Sequence, residues 1–219
     1  MTIQEQFGNI DIYVFDQILR GNIAPDMRVL DAGCGPGRNL VYLLRSGYEV
    51  FGADANAEAV ASVQEMAGAL APGLPSENFQ VAVIEAMPFP DAFADVVVCN
   101  SVLHFARDEA HFDAMVRDLW RVLRPGGMLF CRLGSTIGMQ FETVGRRVFR
   151  MPDGQAWFLV DEALLMGLIR TLGGELIDPL KTTVVQGHRC MTTWVVRKNA
   201  APGFPGRAQV SSGMPGLRH

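Results

Sequence analysis

A chain of 219 residues that is 49% hydrophobic and 19% charged has the make-up of one domain, or one domain with a tail. That composition excludes a disordered, collagen-like or coiled-coil protein. With 19 basic against 23 acidic residues and no long run of one sign, a general binder of nucleic-acid backbones is excluded as well.

No apolar stretch is long enough to span a bilayer, and residues 1–20 lack the basic and apolar regions of a signal peptide. Cys34, Cys99, Cys131 and Cys190 are isolated, without metal-binding spacing, and suit free thiols in a reducing cytoplasm. His104, His111, His188 and His219 are scattered without a carboxylate pattern, so no metal site is expected.

Residues 11–20 (DIYVFDQILR) read as a short amphipathic helix that ends at Gly21, Asn22 and Pro25. The apolar run 27–31 (MRVLD) predicts a strand. A glycine-rich turn, 33–37 (GCGPG), leads from it into a helix over 38–45 that stops at Gly47. A second strand covers 48–53, and Asn56 caps a helix with apolar residues at helical spacing from Ala59 to Leu70. The third strand is 79–84. Residues 95–99 (DVVVC) form a β-branched run typical of a strand buried on both faces.

Asp108 caps a helix with an apolar stripe from Phe112 to Leu123, stopped by Pro125, Gly126 and Gly127. A fifth strand spans 128–133, and Asp161 opens a helix ended by Gly173 and Gly174. Two last strands, 176–185 and 190–196, have no helix between them and predict an antiparallel edge pair. Residues 134–152 are the least regular part and are expected on the surface. Residues 200–219 turn to Pro, Gly and Ser and are expected to form a flexible tail. Strands alternating with helices predict an α/β fold: a seven-stranded, mostly parallel sheet with helices on both faces and the last strand antiparallel.

The segment VLDAGCGPGRNL, residues 29–40, carries the chemistry. A strand enters, glycines turn the chain and a helix leaves, at the strand end where open α/β sheets bind ligands. Asp54 closes the next strand, where an acid can accept hydrogen bonds from both hydroxyls of a ribose. A dinucleotide loop would read G-x-G-x-x-G, but Arg38 stands where its last glycine belongs. The glycines run G-x-G-x-G instead. Asp31, just before them, suits a ligand with an ammonium group and would repel a pyrophosphate.

That pattern resembles the first motif of class I S-adenosylmethionine-dependent methyltransferases. Three further stretches resemble family segments in the same order: GADAN (52–56), AMPFPDAFADVVVCNSVLHF (86–105) and RVLRPGGMLF (121–130). The resemblance covers about residues 20–135 well and implies a Rossmann-like three-layer sandwich with strand order 3-2-1-4-5-7-6. Residues 1–199 would form the methyltransferase domain, with 1–25 a helical lid in which Tyr13 and Phe15 either cap the pocket or join the core.

It also implies roles for individual residues. Gly33, Cys34 and Gly35 would make room for the methionyl part of S-adenosylmethionine. Asp31 would lie near its amino group, Asp54 would hold the ribose and Ala55 would touch the adenine. Ile84, Glu85 and Ala86 would flank the other side of the ring, and Asn100 would lie by the sulfonium. Where the family often has an acid that bonds the adenine amino group, this chain has Val83. His104 is the candidate base, with packing as its plainer role.

A small-molecule acceptor is expected, with the chain a monomer or homodimer. Residues 37–50 also resemble thiol and tellurite-resistance methyltransferases, which leaves a sulfur or chalcogen acceptor open. A cofactor-binding module of the same fold without methyl transfer is the competing reading.

Overall fold

The computed structural model describes residues 1–140 and 142–200. Two short helices, α1 (Ile3–Phe7) and α2 (Ile12–Leu19), precede β1 (Arg28–Ala32), α3 (Val41–Arg45), β2 (Glu49–Asp54), α4 (Ala57–Leu70), β3 (Phe79–Val81) and β4 (Ala94–Asn100). Then come α5 (Glu109–Val122), β5 (Leu123–Gly134), β6 (Glu142–Gly145), β7 (Val148–Arg150), β8 (Ala156–Phe158), α6 (Glu162–Leu172), β9 (Gly174–Leu176), β10 (Lys181–Val185) and β11 (Arg189–Lys198). The caps expected at Asn56, Asp108 and Asp161 form: each side chain accepts from a backbone N–H in the first turn of its helix.

The main sheet has the order β10-β11-β5-β4-β1-β2-β3. Strands β1 to β5 are mutually parallel, and β11 runs antiparallel to β5 and β10. This is the strand order implied by the resemblance. Alternation along the central strands explains the two cores. Val96 and Val98 of β4 face α3 and α4, joined by Leu43, Leu44, Val60 and Val63. Val97 and Cys99 face α5 and α6, joined by Phe112, Val116, Leu119 and Leu165. Each of these fully buried aliphatic or aromatic side chains contributes about 1.5–3 kcal/mol of transfer free energy. Only helices on both faces can satisfy so apolar a strand.

Three expectations need correction. The strand expected over 176–185 is two strands, β9 and β10, both paired with β11. Pro179 cannot donate to a ladder, and buried Asp178 is drawn to Gln17 Nε2 (2.9 Å) and Arg20 Nη1 (2.7 Å). The third strand stops at Val81, because the chain turns into a 3-10 turn over Ile84–Ala86. The stretch expected to be irregular instead contains β6 and β7, which with β8 make a separate antiparallel meander. The expected tail lies, apart from Ala200, outside the described residues.

Candidate cofactor and acceptor site

The glycine loop is tied to the end of β2. The N–H groups of Gly33 and Cys34 both donate to the Ala53 carbonyl (2.7 and 3.0 Å). The Gly35 N–H donates to Asp54 Oδ2 at 2.8 Å, and the Asn56 N–H donates to Oδ1 at 2.9 Å. These bonds fix the Asp54 carboxylate. A carboxylate can accept about four hydrogen bonds, so both oxygens retain capacity for ribose hydroxyls.

The three loop glycines have positive φ for different reasons. A Cβ on Gly33 would lie 2.3 Å from Val102 Cγ2, and one on Gly37 would lie 2.7 Å from Val63 Cγ2 on α4. Both are packing constraints. Gly35, at φ +52°, has nothing within 4 Å of that position and opens onto free space. Of the three loop glycines, it alone is not held by packing.

Asp31 at the end of β1 is 1% exposed, and neither carboxylate oxygen has a hydrogen-bond partner. Burial pushes its carboxyl up to about 7, although Arg38 and Asn39 pull the other way. Asn100, at the end of the neighbouring β4, accepts from Ser101 Oγ (2.9 Å) while its buried Nδ2 has no acceptor. Ser101 follows with φ +66°, a left-handed conformation uncommon for serine.

The structure thus brings together Asp31, Gly33, Gly35, Asp54, Ala55 and Asn100 at the ends of adjacent strands. Cys34 belongs to the loop, but its side chain is buried in the core beside Gly52 and Phe79. Its thiol is pushed up by burial and by Asp31 and Asp54. Ile84 is likewise a core residue, whereas Ala86 and Val83 are exposed. Glu85 is engaged: His111 Nδ1 accepts from the Arg107 N–H, which leaves Nε2 to donate to Glu85 Oε1 at 3.1 Å.

His104 stands apart. It is 3% exposed, stacked on Trp157 of β8 with 4.0 Å between ring centroids, and its Nδ1 has no partner. Burial lowers it to about 4, so it is neutral near pH 7 and a weak base. Of the arginines after β5, Arg146 and Arg147 pair with Glu109, and Arg147 also with Asp161.

Phe15 packs with Phe7 and Tyr42. Tyr13 reaches across to Thr183 Oγ1 (2.7 Å) and lies under the Arg132 guanidinium, 5.3 Å from its ring centroid. Sequence reasoning did not single out Arg132. The available signal was a lone charge in the otherwise apolar run MLFCRL.

Residues 30–131 match a family described as methyltransferase domain. The chain is 28% identical to an uncharacterized methyltransferase of Synechocystis sp., over 76% of this chain and 71% of that protein. It is 34% identical to malonyl-[acyl-carrier protein] O-methyltransferase of Enterobacter lignolyticus, over 70% of this chain and 60% of that protein. Among solved structures it is similar to 1,6-didemethyltoxoflavin-N1-methyltransferase of Burkholderia thailandensis, with bound 1,6-didemethyltoxoflavin and S-adenosylhomocysteine. There the TM-score is 0.67 at 18% identity, covering 88% of this chain and 79% of that one.

Proposed function

We propose that the chain, which matches a methyltransferase domain over residues 30–131, is a class I S-adenosylmethionine-dependent methyltransferase in which Asp31, Gly35, Asp54 and Asn100 hold the cofactor while a small molecule is methylated. The residues fit S-adenosylmethionine. Asp31 is a buried carboxyl whose oxygens have no hydrogen-bond partner, suited once ionised to the cofactor's ammonium group. Gly35 gives open space, Asp54 presents an oriented carboxylate, and the orphaned Asn100 amide lacks an acceptor.

When bound, the cofactor supplies a sulfonium-activated methyl group for in-line displacement. The chain's own contribution is to position the reactants and keep water out. Asp31 and Asp54 fix the two ends of the cofactor from adjacent strands, and α2 covers the strand ends, with Asp11 and Tyr13 against Arg132. An acceptor with a free lone pair needs no base, which agrees with the weakly basic state of His104.

The observation that carries the reading is the orphaned Asp31 carboxylate beside the glycine loop. Among the described residues, no helix is long and apolar enough to cross a membrane. Four buried free cysteines suit a reducing compartment such as the cytoplasm.

Calorimetric titration tests the proposal. S-adenosylhomocysteine should bind with micromolar affinity and NAD should not. Asp54→Ala should weaken binding by about 1.5–3 kcal/mol, the scale of hydrogen bonds to a charged group. Binding of NAD alone, or of neither ligand, would overturn it.

A further inference from the structure

A row of buried polar atoms without partners crosses the sheet at its ligand-binding edge. Strand by strand it runs through Asp31 Oδ1 and Oδ2 on β1, Asn100 Nδ2 on β4, Arg132 Nε on β5 and Thr193 Oγ1 on β11. These strands are consecutive neighbours. Asn100 pairs directly with Arg132, and Arg132 with Thr193. Alternation places all four side chains on one face. Their strand neighbours Val29, Val98, Phe130 and Val195, each two residues away, belong to the single core cluster under α2 and α3.

Orphaned buried polar atoms each cost stability, and native interiors hold few. Five of them, on four side chains of adjacent strands and one face, mark a surface shaped for something polar. The two ends carry opposite charge: Asp31 is the anionic end and Arg132 the cationic end. The Arg132 side chain is only 16% exposed, yet its single ion pair is long, 3.5 Å from Nη1 to Asp11 Oδ2. Asp11 is itself occupied at Oδ1, where it accepts from the Tyr13 N–H as the α2 cap. A guanidinium held this loosely in the interior is under-compensated. Its planar fork and the adjacent Thr193 hydroxyl together match a carboxylate.

We propose that Arg132 and Thr193, with the Asn100 amide beside them, bind a carboxylate of the methyl acceptor. This rests on the methyltransferase reading and names the substrate class: an organic acid. The methionyl carboxylate of the cofactor is the other source of such a group. Its ammonium and carboxylate share one carbon, however, and the backbones of Asp31 and Arg132 stand two strand spacings across and two residues along the sheet from each other, about 12 Å. The ligand anchored at Asp31 therefore leaves Arg132 for a second molecule. With a cationic cofactor at one end and an anionic acceptor at the other, each charged end of the row meets an opposite charge only when both are bound.

The test uses the full chain saturated with S-adenosylhomocysteine. Acetate, malonate and benzoate are titrated by calorimetry against acetamide, malonamide and benzamide. At least one acid should bind and its amide should not. Arg132→Met and the near-isosteric Thr193→Val should each weaken that acid about tenfold or more, with melting temperature showing that the variants fold. S-adenosylhomocysteine affinity should stay within about twofold of wild type. The proposal is overturned if no acid binds, if amides bind equally, or if acid binding survives both substitutions. It is also overturned if Arg132→Met weakens S-adenosylhomocysteine instead, which would assign the guanidinium to the cofactor. Failure of wild type to bind S-adenosylhomocysteine at all would remove the methyltransferase reading itself, a result separate from the others.

Discussion

Replacing Asp31 by Asn should make the ligand-free protein more stable and the site worse. The Asp31 carboxyl titrates at about 7 in the folded protein against 3.8 ordinarily, because burial without a hydrogen-bond partner penalises its charge. That difference of roughly three units corresponds to about 4 kcal/mol of folding stability lost once the group is ionised. Between pH 4 and 7 the unfolded chain holds fewer protons than the folded one, so stability falls as pH rises through this window. Above it the loss is complete.

Asp31→Asn removes the charge but leaves an unpaired amide, which costs about 1–3 kcal/mol. The net gain at pH 8 should be about 1–3 kcal/mol, measured by urea unfolding of the ligand-free protein. Below about pH 3 wild-type Asp31 is mostly protonated in both states, so the gain should be lost and only the cost of the unpaired amide should remain. In parallel, calorimetry at pH 8 should show weaker binding of S-adenosylhomocysteine. A gain of equal size at both pH values, or undiminished affinity in the variant, would refute the reasoning.

The other expectations concern the loop and His104. Gly35→Ala and Gly37→Ala share the strain of a positive φ, but only the second drives a Cβ against Val63 and Met66. Gly37→Ala should therefore lose about 1–3 kcal/mol more in denaturant unfolding, the scale of overpacking, and equal losses would contradict the packing role. Gly35→Ala should act chiefly on S-adenosylhomocysteine affinity, so a variant with wild-type binding would remove Gly35 from the site. His104, lowered to about 4, should give no step near pH 6.5 in the rate profile. A step there that disappears in His104→Asn would restore it as a base.

Much of this was legible because the relevant signals are local. A run such as DVVVC announces a doubly buried strand, and D-x-G-x-G-x-G between a strand and a helix announces both a turn and its ligand class. Hence Asp31, Asp54 and Asn100 come together near the ends of adjacent strands. What could not be read depends on long-range partners. The strands of the meander are three or four residues long, too short to show alternation. The break between β9 and β10 depends on Asp178 meeting Gln17 and Arg20, more than 150 residues away in sequence. The engagement of Glu85 needed His111 from another helix, and the burial of His104 needed Trp157 from the meander. Arg132 and Thr193 become a pair only when β11 docks on β5.

The tethers of α2 also have a consequence for how the molecule comes into being. Tyr13 is held by Thr183, Gln17 and Arg20 by Asp178, and Asp16 by Lys181. Every one of these partners is synthesised near the end of the domain, on or beside an edge strand that itself needs β11 to pair. During vectorial synthesis the parallel strands β1 to β5 can assemble while the N-terminal helix waits without its anchors. Closing so long a loop is slow. Residues 13–20 are thus among the last to reach their place, and a chain halted before residue 178 would have the glycine loop without the tethers that secure α2.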